Sequence, residues 1–372
     1  DVCSSDLGKY RVLLTANQEG YVVALIQAAG TIVNMVVSIF LIYIGAGVLF
    51  VKAVATGVYM LRLVLVKIYA KRKYPALDFH AEPNEGALKQ KNAALLHQVV
   101  GIIVNNTDTT VLTICLGAKS LLEVSVYGIY MMVVNAVNQL MTSFSNGLTA
   151  GFGEVIAKNE EETLKKSYSS YEYMYFVIMF IVIACMGVLI LPFVGVYTIN
   201  LTDVQYVRPV LGILFTVIVF MQNVRIPGLT IICAAGHYKE TRYQAILEAV
   251  INITVSLGLV WKFGMAGVLL GTVCSYGYRS FEIVFYTSRH LVKGCAKKSM
   301  FRIFRNVLVV ALLCIVGTYV IPKNMASFIT WFLYAIGMVA VSVFTIVGVN
   351  YVVEPDEFKE LVLRVKGILR TK

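Results

Sequence analysis

The chain has 372 residues, of which 58% are hydrophobic and only 14% charged, and its mean hydropathy is +0.77. That composition leaves no room for a soluble domain and points to a protein that crosses a bilayer many times. The net charge of +11 would suggest nucleic acid in a soluble protein; here it reports orientation and attraction to anionic lipid headgroups, so membrane lipids are expected partners and nucleic acid is not.

Seven cysteines occur without a C-x-x-C spacing, which reads as small apolar packing residues, not a disulfide framework or a zinc site. His80, His97, His237 and His290 are isolated from one another in sequence. No metal or other cofactor is expected. Nor is an enzyme, because the chain has no P-loop, metal motif or catalytic triad and no long outer loop to hold one.

In chain order, residues 1–7 (DVCSSDL) are polar and fit no signal peptide. They resemble the translation of a sequencing adapter and are expected to be non-native and outside the fold. Ten apolar stretches follow, at 21–44, 47–69, 93–114, 122–150, 171–194, 207–233, 241–260, 264–287, 303–321 and 327–350. About 20 apolar residues are needed to cross a hydrocarbon core of about 30 Å. Lipid offers bare backbone groups no partner, so runs this long without two-residue alternation are helices. The expected class is an all-α polytopic helical membrane protein of about ten spans.

Lysine and arginine sort by side. The segments 1–20, 67–92, 151–170, 234–242, 288–305 and 353–372 hold three quarters of the 32 basic residues, whereas the opposite loops hold Lys52, Lys119, Arg208, Lys262 and Lys323. The basic side, with both termini, is therefore expected in the cytoplasm. Beyond the last span, Phe358, Leu361, Val362, Val365, Ile368 and Leu369 share one face and Lys359, Arg364, Lys366 and Arg370 the other. Residues 353–372 thus read as a basic amphipathic helix on the membrane surface.

The first hairpin repeats in the seventh and eighth spans at a nearly constant offset. Asn34 and Ser38 match Asn252 and Ser256, Gly45 matches Gly264, and Arg62 followed by Tyr69 matches Arg279 followed by Tyr286. Both hairpins start from the same side, so the repeat is parallel, an arrangement found in transporters built from two lobes. This divides the chain into a last hairpin of an N-terminal lobe with its basic loop (8–92), a six-helix C-terminal lobe (93–288), an additional helix pair (289–352) and the tail. Four counterpart spans are then expected upstream of residue 8 in a fourteen-span parent.

Charged side chains inside a span cost about 2.5–3.5 kcal/mol each on insertion scales and are usually paired or functional. The third span carries Asn105-Asn106-Thr107-Asp108-Thr109-Thr110, with Asn105, Asp108 and Thr109 on one face. In the fourth, Asn135, Gln139, Thr142, Asn146 and Thr149 draw a polar stripe, with Asn138 beside it. Such a stripe lines a hydrophilic path or holds neighbouring helices together. The sixth span holds Gln222, Asn223 and Arg225 before Pro227, and Asp108 is a candidate counter-ion for Arg225. Glu248 is a further cavity candidate, while Arg279 and Glu282 at i, i+3 neutralise each other.

Several segments together resemble the polysaccharide-exporting branch of the multidrug/oligosaccharidyl-lipid/polysaccharide exporter superfamily. They are Asn105 to Asp108, Ser125-Val126-Tyr127, Ser143 to Leu148 with Gly153, Ala157 to Glu160, and Ala234 to Arg242. The resemblance runs from about Gly8 to the C-terminus. It implies two six-helix lobes around a central cavity, and flipping of a polyprenyl-diphosphate-linked oligosaccharide across the bacterial inner membrane by alternating access. On that reading Arg225, Arg62 and Arg279 contact the diphosphate, and Asn105, Asp108, Asn135, Asn138 and Gln139 contact the sugar. Asp108 or Glu248 would couple the cycle to H+ or Na+. The alternative is an ion-coupled multidrug or small-metabolite antiporter of the same superfamily.

Overall fold

The computed structural model describes residues 2–17, 19–75, 91–117, 120–145, 148–322, 325 and 327–360. Among the described residues there is no strand, and each of the ten expected stretches meets a helix. Among the described residues eight helical segments, Pro209–Ala234 counted as one, are long and apolar enough to cross a membrane, so the chain is an all-α, polytopic, membrane-embedded protein. The helices over the third and eighth stretches have spanning length, 25 and 22 residues, but carry more polar residues. The chain divides into two compact units, Asp1–Leu88 with Asn146–Gly151, and Lys89–Ser145 with Phe152–Lys372.

The smaller unit is built on α1 (Val2–Ala16), α2 (Gly20–Tyr43) and α3 (Val48–Lys73). The turn between α2 and α3 requires a left-handed residue, supplied by Gly45 at φ 78°, where a Cβ would be strained. Tyr10 and Leu14 of α1 pack on Val23 of α2 and on Val66 and Ala70 of α3. The Lys73 ammonium donates to Glu19 at 2.5 Å above that cluster. The middle of α2 and α3 is open, with Ile32, Met35, Phe40 and Leu61 exposed. The backbone of residues 2–7 continues α1; helix propagation adds one hydrogen bond per residue once a turn exists.

The larger unit contains α4 (Lys91–Cys115), α5 (Ser120–Ser145), α7 (Glu161–Tyr197), α8 (Pro209–Val224), α9 (Ile226–Ala234), α10 (Arg242–Phe263), α11 (Met265–Tyr286), α12 (Ala296–Val320) and α13 (Phe328–Val353). Helix α6 (Leu148–Ala157) straddles the division. The fourth stretch therefore ends as a long helix at Ser145 and resumes as α6, with Asn146 outside the described residues. Asn159 at φ 55° makes the turn into α7, a conformation Asn tolerates better than most side chains. At 37 residues α7 outlasts its apolar stretch, and two thirds of its most apolar window is buried. It is the post of this unit, with α8, α12 and α13 packed against it.

The tightest pair is α10 with α11. Gly264 at φ 57° turns the chain, and Gly267 and Gly271, four apart, face α10 where a Cβ would lie 2.3 Å from the Leu259 carbonyl oxygen and 2.1 Å from Ser256 Oγ. Small residues at this spacing let two backbones touch. Helix α4 lies against both members of the hairpin, and α5 against α4 and α8.

Loops of opposite charge character sort to opposite ends of this unit. Glu161 of α7 meets Lys293, and Ser169 and Lys298 both bond Glu357 in the short helical stretch 355–360. At the other end Arg208 grips Glu123 through two bonds of 2.8 and 2.9 Å, and Tyr130 donates to the Tyr206 carbonyl at 3.0 Å. Residues 361–372, most of the expected amphipathic tail, and His80 lie outside the described residues.

Candidate functional site

In the larger unit α4, α5, α8 and α11 enclose a cavity of about 390 Å³. Asn105 and Asp108 enter from α4, Asn135 and Asn138 from α5, Gln222 from α8, and Thr272 and Tyr276 from α11, with Tyr127 closing one wall. Helical geometry accounts for the set. Residues three or four apart share a face, which joins Asn105 to Asp108, Asn135 to Asn138, and Thr272 to Tyr276. Gln139 sits one residue beyond that face of α5, is exposed, and lines neither this cavity nor its neighbour.

Asp108 is buried and accepts two neutral donors, Thr272 Oγ1 at 2.7 Å and Tyr127 OH at 3.2 Å. Thr272 is held in turn by Asn252 Nδ2 at 3.1 Å, so the hydroxyl that faces Asp108 has a fixed support. On α5, Asn138 donates to Gln222 Oε1 at 2.8 Å and accepts from Asn223 at 2.9 Å; Tyr175 of α7 donates to Asn223 at 3.0 Å. This chain anchors the cavity floor to the central post. The hydroxyls of Thr107, Thr109 and Thr110 and the amide of Asn106 return to carbonyls of their own helix. Their polarity is absorbed locally; Thr109, expected on the cavity face, does not line the cavity.

A second pocket of about 160 Å³ adjoins the first, the two sharing Val104, Asn105, Gln222 and Tyr276. Its charged lining is Arg225, Glu248 and Arg279, with His97 at one edge. The helix over the sixth stretch divides at Arg225, the junction of α8 and α9, two residues before Pro227. Proline has no N–H to give the preceding turn, and the junction carries Arg225 into the pocket. Arg225 Nη1 donates to Glu248 Oε1 at 2.5 Å, and its guanidinium lies 4.5 Å from the Tyr276 ring centroid. Glu248 Oε2 stands 3.6 Å from Arg279 Nε, and Arg279 Nη1 donates to Glu282 at 2.5 Å.

The counter-ion of Arg225 is therefore Glu248, not Asp108. Asp108 is held by the hydroxyls of Thr272 and Tyr127, whereas Glu248 of α10 faces Arg225 directly. The expected pairing of Arg279 with Glu282 is present. Arg62 belongs to the smaller unit, where it lies over Gly30 of α2 so closely that a Cβ there would meet its Nε at 2.2 Å. In the matched hairpin the position corresponding to Gly30 is Glu248. The repeat thus seats one arginine on a glycine and the other beside a carboxylate.

A second ionic cluster, at the basic end, has no counterpart in the sequence expectations. Arg302 of α12 is 1% exposed and reaches Glu172 of α7 at 3.1 Å and Glu354, just past α13, at 3.0 Å. Arg305 adds a 3.0 Å contact to Glu354 and a hydrogen bond to Asn350, and Asn350 donates to Asn306 at 2.9 Å. Burial pushes the Glu357 carboxyl up, but hydrogen bonds from Lys298 and Ser169 and the charges of Arg302 and Lys298 prevail and hold it below its ordinary range. The cluster fastens α12 and α13 to α7. Its signal in the sequence was Arg302 and Arg305 at the head of an apolar stretch, indistinguishable there from ordinary flanking charges.

No group of three or more metal-ligating side chains capable of holding an ion occurs among the described residues. Comparison with protein-family models, with curated proteins and with solved structures returns no match.

Proposed function

We propose that the chain belongs to a transporter of the bacterial inner membrane that flips a polyprenyl-diphosphate-linked oligosaccharide by alternating access. The observation that carries this reading is the pairing of the two pockets. The larger offers amide side chains and the tyrosines Tyr127 and Tyr276, a combination suited to sugar hydroxyls and to the apolar faces of sugar rings. The smaller, directly continuous with it, offers Arg225, whose planar guanidinium suits a phosphate. A polar groove of this kind would take the glycan and diphosphate while the polyprenyl tail stays in lipid. Asp108 is the candidate for coupling to H+ or Na+, being buried and, among the described residues, in no ion pair.

A second reading is an ion-coupled multidrug or small-metabolite antiporter. What favours it is charge: both pocket arginines already have carboxylates, and Asp108 adds a further acid. Expression of the gene in a strain lacking its polysaccharide flippase separates the two. Restored surface polysaccharide is the expected result; no restoration, together with gained export of cationic dyes, would replace the first reading by the second.

A further inference from the structure

Glu248 uses both carboxylate oxygens on arginines, and it uses them unequally. Oε1 is bonded to Arg225 Nη1 at 2.5 Å, while Oε2 stands 3.6 Å from Arg279 Nε. Arg279 has a second carboxylate in Glu282. Among the ion pairs of the described residues, Arg225 has Glu248 alone. Its Nε is buried with no hydrogen-bond partner, and the pocket in front of it opens into the larger cavity past Gln222 and Tyr276. A buried guanidinium without a counter-charge is strongly disfavoured, so Glu248 neutralises Arg225 while the cleft is empty.

An anionic group arriving through the larger cavity meets the same guanidinium and can also satisfy Nε. If it displaces Oε1, Glu248 is not stranded, because Oε2 already faces Arg279. We propose that Glu248 is a built-in counter-anion that competes with the diphosphate of the substrate for Arg225, setting how tightly the headgroup is held and returning to Arg225 to release it. The substrate class rests on the function proposed above; the competition rests on the geometry of Arg225, Glu248 and Arg279. Glu248 is accordingly an affinity-setting residue and not a mere structural ion-pair partner.

The test is binding of geranylgeranyl diphosphate to the purified protein in phosphatidylcholine nanodiscs, with geranylgeraniol as the uncharged control. Glu248→Gln removes the competitor while Glu282 still holds Arg279, and is expected to tighten diphosphate binding at least tenfold without affecting the alcohol. It should also slow flipping in proteoliposomes, because release loses its driving group. Arg225→Gln is expected to abolish the preference for diphosphate over alcohol. Should Glu248→Gln not fold, Glu248→Asp retracts the carboxylate by one methylene and is expected to give an intermediate gain. Equal or weaker diphosphate binding by the folded Glu248 variant overturns the competition and leaves the flippase reading intact. Absence of any diphosphate preference in the unmodified protein overturns both.

Discussion

At the scale of single residues, the polar side chains within the apolar helices fall into two kinds, told apart by their partners. Among the described residues Asp108 has hydroxyl donors alone, from Thr272 and Tyr127, whereas Arg302 is enclosed by carboxylates. Replacing Asp108 by Asn keeps one acceptor for those hydroxyls and nearly the same volume. We expect Asp108→Asn to retain the fold, with a stability change within about 1 kcal/mol, and to lower transport about tenfold, about 1.4 kcal/mol of barrier. Full transport rate with unaltered pH dependence would remove Asp108 from the coupling role. Arg302 predicts the reverse phenotype. Arg302→Met leaves Glu172 and Glu354 without their shared cation and should cost about 3–5 kcal/mol, read as a lowered midpoint of thermal unfolding in detergent. Adding Glu172→Gln should recover part of that loss; an unchanged midpoint in the single variant would show that the cluster does not hold α12 and α13.

Among the elements, the α10–α11 hairpin determines whether the cleft exists. Asn252 of α10 supports Thr272 of α11, which supports Asp108 of α4, and this succession needs the backbones to meet at Gly271. A Cβ on Gly271 would lie 2.1 Å from Ser256 Oγ and 2.7 Å from the Ser256 backbone nitrogen, so the helices must part. Overpacking of this kind costs about 1–3 kcal/mol. Gly271→Ala is expected to lower thermal stability by that amount and to cut transport more than Asp108→Asn does, since it disturbs the whole wall. The control is Gly277→Ala on the same helix, where a Cβ would meet nothing and the midpoint should stay put. The extent to which such relations can be read from sequence differs by type. The helices over the ten stretches were legible because each needs its own apolar run, and on α4 the shared face of Asn105 and Asp108 because polar residues in lipid recur at helical spacing; of the stripe on α5, Asn135 lines the cavity and Gln139 and Thr142 do not. The partner of Arg225 was not, since Asp108 and Glu248 are equivalent as charges until α10 packs on α11 and brings one of them close. Thr272 and Tyr276 carried a readable signal, sharing with Arg279 the i, i+4, i+7 spacing of one helix face. The Arg302 cluster was illegible because its members come from three distant stretches.

For the molecule as a whole, the distribution of charge and the packing of the larger unit make one statement about sidedness. The segments that sequence marks as basic, around Lys165, Lys298 and Glu357, come together at one end, and the sparsely charged loops around Glu123 and Arg208 gather at the other. A chain threaded through a bilayer with basic loops inside must show this sorting, whereas an assembly of apolar helices without a fixed orientation need not. Lys166 at the basic end and Gln205 at the opposite end are both exposed, so each reports its side without disturbing the packing. In a background with the native cysteines replaced, a membrane-impermeant maleimide added to intact spheroplasts should label Gln205→Cys and not Lys166→Cys. Lysis should make Lys166→Cys reactive to the same degree. The opposite pattern would invert the orientation and place the cleft's Arg225 end on the outer side, and labelling of both sites in intact spheroplasts would remove the membrane-spanning arrangement of the segment between them. Because α7 alone connects residue 166 to the loop containing 205, with only a short turn after Tyr197, this pair tests a single crossing and its direction together.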